Sequence, residues 1–130
     1  MVYLCLDPGL KHTGVAISHE GILAQPLTTI RTADFDKLIS QISSLYRKYQ
    51  PDVLIIGQPE TGPIKLFAKK IFQKLSETLD IKPNLFPEDL STKKSQLQLR
   101  GFTTAGGRRH LRHQAAAAFI LQEYLDSQSQ

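Results

Sequence analysis

Apolar and polar positions change period several times along the chain, and each change marks an element. Residues 2–6 form a continuous apolar run that ends on Asp7-Pro8-Gly9, the punctuation of a turn. Thr13-Gly14-Val15-Ala16-Ile17-Ser18 reads as a second strand, hairpin-linked to the first through residues 8–12. Gly21 breaks it, and residues 22–32 give a third strand in which Pro26 marks a bulge or an edge. The period then shifts to that of a helix. Phe35, Leu38, Ile39, Ile42, Leu45 and Tyr46 share one face, Asp34 is a good N-cap, and Pro51 stops the run. Val53-Leu54-Ile55-Ile56 is apolar throughout, the pattern of a central parallel strand buried on both faces. A loop rich in Gly and Pro, residues 57–63, leads to a basic amphipathic helix over 64–79. Residues 84–86 make a short fifth strand that ends at Pro87-Glu88-Asp89. Ser91 or Thr92 caps a short helix to about Arg100, and a final helix runs from about Arg109 to Asp126.

Three meandering antiparallel strands followed by alternating helices and strands predict an α/β fold: a five-stranded mixed sheet, antiparallel then parallel, with helices on both faces. A length of 130 residues fits one domain, residues 1–130, large enough to bury a core without metal or disulfide staples. Apolar residues at 41% and charged residues at 22% exclude a disordered or fibrous chain. No apolar run approaches the roughly 20 residues of a membrane span, and the opening lacks the basic flank of a signal peptide. The single cysteine, Cys5, lies in an apolar run and reads as a buried thiol. These features point to a cytoplasmic protein with no membrane partner.

Charge alters the picture more by distribution than by total. The net charge is +4, and no acid falls between Ser91 and His113, whereas Lys93, Lys94, Arg100, Arg108, Arg109 and Arg112 all do. Such a stretch is either a solvated loop or a binder of a phosphate backbone. Two acids, meanwhile, close apolar strands: Asp7 the first and Glu88 the fifth. Open α/β sheets carry their chemistry just past the carboxyl ends of strands. Each acid alone is often a cap; on strands that the element order allows to be neighbours, they form a carboxylate pair. Paired carboxylates suit hard divalent cations, which prefer oxygen ligands and clamp the oxygens of phosphoryl transfer. Neither Gly9 to Gly14 nor Gly57 to Gly62 has the spacing of a nucleotide-binding loop.

Leu6-Asp7-Pro8-Gly9-Leu10-Lys11-His12-Thr13-Gly14-Val15-Ala16 resembles the opening of the RuvC and YqgF (RuvX) branches of the RNase H-like superfamily. Ile55-Ile56-Gly57-Gln58-Pro59 with Gly62-Pro63 is similar to the YqgF Gly-x-Pro loop in shortened form, and Glu88-Asp89-Leu90-Ser91-Thr92 to that family's Asp-Glu-Arg-Leu-Ser/Thr-Thr segment. The run from Ala115 to Leu125 is close to the YqgF final helix. The resemblance spans the chain in order and implies an RNase H-like fold and a metal-dependent nuclease acting on Holliday junctions or ribosomal RNA precursors. It implies Asp7 and Glu88 as holders of Mg²⁺ or Mn²⁺, with His113 completing the shell or orienting water. It implies nucleic acid as the partner of a monomer or homodimer. Lys11, close behind Asp7, is placed to contact a phosphate.

Two departures mark this sequence. The family's Asp-Glu-Arg reads Pro87-Glu88-Asp89, and strand alternation sends Glu88 and Asp89 to opposite faces, so at most one of them is a ligand, and the resemblance implies Glu88. The acid expected eight residues before Leu121 is His113, and the position three further on is Ala116. The alternative is therefore a nucleic-acid-binding module that kept the fold and lost the chemistry. Sugar kinases and actin-like ATPases share the opening strand, Asp and Gly turn, but need a second such domain to close over ATP.

Overall fold

The computed structural model describes residues 1–88 and 109–128, with the side chains of 109–111 excepted. Five strands form one sheet: β1 (Tyr3–Asp7), β2 (His12–Ser18), β3 (Gln25–Arg31), β4 (Val53–Pro59) and β5 (Asn84–Glu88). Their order is β3-β2-β1-β4-β5. β1 pairs antiparallel with β2 and parallel with β4, β2 antiparallel with β3, and β4 parallel with β5. The helices are α1 (Phe35–Tyr49), α2 (Pro63–Thr78) and α3 (Arg109–Gln128). The expected short helix after Ser91 lies outside the described residues, as does the stretch that holds Lys93, Lys94, Arg100 and Arg108.

Local chemistry explains the elements. The Asp34 carboxylate accepts from the Lys37 N–H at 3.1 Å and caps α1. Gln50 ends the helix in the left-handed region at φ 47°, and Pro51 follows. The pairing of β2 with β3 shifts between Val15 and Ala16, opposite Pro26, which has no N–H to give the ladder.

Alternation divides the core. Leu4, Leu6, Val15, Ile17, Leu54 and Ile56 meet α1 and α2 on one face. Cys5, Ala16 and Ile55 meet Ala117, Ile120, Leu121 and Leu125 of α3 on the other. β1 and β4 are therefore buried on both sides, which is why they read as unbroken apolar runs. The thiol of Cys5 is buried as its sequence context implies.

Several boundaries differ from the sequence reading. β3 begins at Gln25 rather than at residue 22. The Gln122 side chain of α3 accepts from the Ala24 N–H at 2.9 Å and donates to the Ile22 carbonyl at 3.0 Å, so these groups bond the helix instead of the ladder. β4 continues past residue 56 through Gly57, Gln58 and Pro59, which pair with Phe86, Pro87 and Glu88 of β5. The parallel ladder overrides a loop-like composition there. Pro87 is tolerated because β5 is an edge among the described strands.

Candidate active site

The carboxyl ends of β1 and β5 converge on a cleft of about 550 Å³. Its lining includes Asp7, Lys11, His12, Glu88 and His113, with Pro59, Gly62, Pro63 and Ile64 forming a wall at the start of α2. Asp7, the last residue of β1, is 9% exposed, and Glu88, the last of β5, is 6% exposed. His113, on α3, is half-buried, whereas Lys11 and Arg112 are exposed. Arg109 opens α3, but its side chain lies outside the described residues.

One sequence expectation needs correction here. β4 lies between β1 and β5, so Asp7 and Glu88 do not stand on neighbouring strands. Their backbones are separated by two strand spacings, about 9.5 Å across the sheet. The register adds a stagger: Leu6 pairs with Ile56, whereas Glu88 pairs with Pro59. A glycine on the intervening strand relieves part of this. Glu88 Oε2 lies 3.1 Å from the position that a Cβ on Gly57 would occupy. The carboxylate thus leans back along β4, away from Pro59 and toward the level of Asp7, over a residue with no side chain to stop it.

A second glycine brings the helix down. Asp7 pairs with Gly14 on β2, and a Cβ on Gly14 would run into the backbone carbonyl of His113. Gly14 therefore lets the start of α3 approach the sheet at backbone distance. That seats the His113 side chain in the cleft. The alanine run that follows packs as small side chains in a close approach should: Ala115, Ala116, Ala117 and Ala118 are all buried. Ala116 does not line the cleft, so the helix face it presents is a packing face.

The sequence reading passed over His12. It shares a sheet face with Gly14 by alternation, and its ring stacks on that of His113 with centroids 4.7 Å apart and planes 2° apart. The period-two spacing from Gly14 was the available signal; the partner, on the last helix, is too distant in the chain to be inferred from it.

The donors suit a hard cation: two buried carboxylates on one cleft, with an imidazole beside them. Among the described residues, no three side chains of His, Cys, Asp or Glu are gathered as closely as an all-protein metal cage needs. Magnesium seldom uses such a cage, being held by one or two carboxylates with water and substrate phosphate making up the rest. Two buried carboxylates lining an open cleft fit that mode of binding.

Strand order, helix placement and acids at strand ends define an RNase H-like fold of the resolvase type. Thermus thermophilus RuvC, solved in complex with a Holliday junction substrate, superposes with a TM-score of 0.65 at 13% identity, covering 99% of this chain and 96% of that one. The Fowlpox virus resolvase, also solved with junction DNA, gives 0.62 at 13% identity, with complete coverage of both chains. The family described as "RuvX: Holliday junction resolvase" matches residues 1–127, and the chain belongs to it. Two relatives carry the name "Putative pre-16S rRNA nuclease". That of Roseiflexus sp. (strain RS-1) is 33% identical over 132 residues, 96% of this chain and 94% of its own. That of Caldanaerobacter subterraneus subsp. tengcongensis is 35% identical over 136 residues, 98% of each.

Proposed function

We propose that the protein is a divalent-metal-dependent endonuclease that hydrolyses phosphodiester bonds in structured nucleic acid, either branched DNA or a ribosomal RNA precursor. The observation that carries this reading is the pair of buried carboxylates, Asp7 and Glu88, on one cleft at the carboxyl ends of β1 and β5. Mg²⁺ or Mn²⁺ held there would polarise the phosphodiester and activate the attacking water. The chain's own groups do the rest. Asp7 and Glu88 exclude the substrate backbone from the floor of the cleft by charge and admit it only with compensating cations. Lys11, exposed at the rim, takes a flanking phosphate. His113 accepts a proton or a ligand bond at its ring nitrogen, and stacking on His12 fixes the plane of that ring. The substrate class implies work in the cytoplasm.

A second reading, a binding module with impaired chemistry, is favoured by one feature: His113 stands where the family has an acid, and Ala116 nearby is buried away from the cleft. Incubation with a four-way junction, a linear duplex and an RNA precursor, each with Mg²⁺ or Mn²⁺, separates the two. Cleavage of any of them supports the nuclease. Binding without cleavage under every condition leaves the module.

His113 gives a finer prediction. Imidazole is a softer ligand than carboxylate and suits Mn²⁺ better than Mg²⁺. Cleavage is therefore expected to prefer Mn²⁺ and to fall on the acid side, where a protonated imidazole has no lone pair to give a metal. His113→Asp should move the preference toward Mg²⁺, and His113→Ala should cost at least about tenfold in rate, 1.4 kcal/mol of barrier. His12→Ala should reproduce part of that loss, and His12→Phe, which keeps a flat ring for stacking, should recover it. Unchanged rates and metal preference in both His113 variants would leave Asp7 and Glu88 as the whole site.

A further inference from the structure

The wall of the cleft is the first turn of α2, and the exposed face of that helix carries a charge pattern that the cleft chemistry does not use. Lys65, Lys69, Lys70 and Lys74 are all exposed. Among the described residues none of the four takes part in an ion pair. Lys70 is held in place, its Nζ 4.3 Å from the centroid of the Phe35 ring on α1. The others project freely. Two pairs, Lys65 with Lys69 and Lys70 with Lys74, stand four residues apart, where like charges destabilise a helix by about 0.2–0.5 kcal/mol each. Glu77, three residues after Lys74, offsets the charge on that flank. Lys65 and Lys69 have no acid three or four residues away on the helix, so the α2 sequence keeps an uncompensated repulsion there, on a surface that tolerates any polar residue. In the midst of these lysines Leu66 is 70% exposed.

Geometry ties this face to the cleft. Lys65 follows directly on Pro63 and Ile64, which line the cleft, and Lys69 lies one turn further along the same flank, about 6 Å on at 1.5 Å per residue. A duplex strand carries a phosphate about every 3.4 Å along its axis, so these two cations are spaced to meet phosphates about two apart. We infer that the exposed face of α2 is a phosphate-backbone track, on which one duplex arm of the substrate lies as it enters the cleft. Lys65 and Lys69 contact the backbone and Leu66 packs against a sugar, while Lys70 and Lys74 stand on the opposite flank of the helix, where Lys70 braces it against Phe35 of α1. The inference rests on the nucleic-acid reading of the cleft and adds to it the path the substrate takes.

The test uses the full chain and two probes of one sequence, a 30-base-pair DNA duplex and its RNA counterpart, followed by fluorescence anisotropy across a salt series. Each phosphate contact contributes about 0.9 to the slope of log K against log salt for duplex DNA. The variant Lys65→Gln/Lys69→Gln should flatten that slope by about 1.8 units and keep the wild-type melting temperature, since both side chains are exposed, whereas Lys74→Gln on the other flank should leave the slope unchanged. The Arg double variant at 65 and 69 should keep the slope. The probe with the steeper wild-type slope is the one the track is built for. Salt-dependent wild-type binding with an unchanged slope in the Gln double variant overturns the inference alone. Wild-type protein with no salt-dependent binding to either duplex overturns both the track and the nucleic-acid reading of the cleft.

Discussion

Asp7→Asn is expected to lower the cleavage rate by at least about a thousandfold, some 4 kcal/mol of barrier, while leaving the fold intact. The substitution keeps the shape of a side chain that is 9% exposed at the end of β1, so packing is conserved and only the charge is lost. An amide oxygen is a far weaker donor to a hard cation than a carboxylate, and Glu88 alone would be left to hold it. The check has two parts. A nicking assay with Mg²⁺ or Mn²⁺ should show the loss. Thermal unfolding should show that added Mn²⁺ raises the wild-type Tm, by the mass-action stabilisation of the folded state, and leaves the variant's unmoved. Full activity in Asp7→Asn would put the chemistry elsewhere in the chain.

The two acids stood out as candidates because they sit where the sequence changes period. Asp7 and Glu88 each end an apolar run, where a lone acid is often only a cap, and the structure places both on one cleft. Asp34 and Pro51 bracket α1 for reasons of backbone chemistry alone, and the structure keeps both boundaries. What escaped depends on partners distant in the chain. Residues 57–59 have a loop's composition, and only the ladder with β5 makes them strand. That β4 separates the two acids follows from a crossover, which element order permits but does not dictate. His12 looks like an ordinary turn residue until α3 brings His113 onto it.

In the proposed function, the same long-range closure orients His113, where the resemblance of the sequence leads one to expect an acid. An aspartate there would need only to reach the cleft. An imidazole must also present one ring nitrogen in a fixed plane, and its χ2 torsion is soft. A parallel ring at 4.7 Å restrains that torsion without taking a ring nitrogen. The two histidines are therefore best regarded as one device, whose position depends on how closely α3 meets β2.

That closeness is set by Gly14, and Gly14→Ala is expected to be strongly destabilising. The added carbon would meet backbone, the His113 carbonyl and the Gln114 nitrogen, which cannot rotate away. The start of α3 would have to lift. Lifting loosens a helix whose Ala117, Ile120, Leu121 and Leu125 form the core of that face with Cys5, Ala16 and Ile55. Overpacking of this kind costs about 3 kcal/mol, a fall in Tm of about 10 °C for a domain of this size. Gly57→Ala is the control. Its methyl would meet Ile120 Cδ1 at 3.0 Å and Glu88 Oε2 at 3.1 Å, both ends of flexible side chains, so about 1 kcal/mol or less is expected. The functional consequence separates the two as well. In Gly14→Ala the His12–His113 stack should open, which NMR would register as loss of the ring-current shift on the imidazole protons, and cleavage should fall at temperatures where the variant is still folded. In Gly57→Ala the stack should persist while Glu88 is pushed from its lean toward Asp7. Equal melting temperatures for the two variants would mean that α3 does not rest on β2 through Gly14.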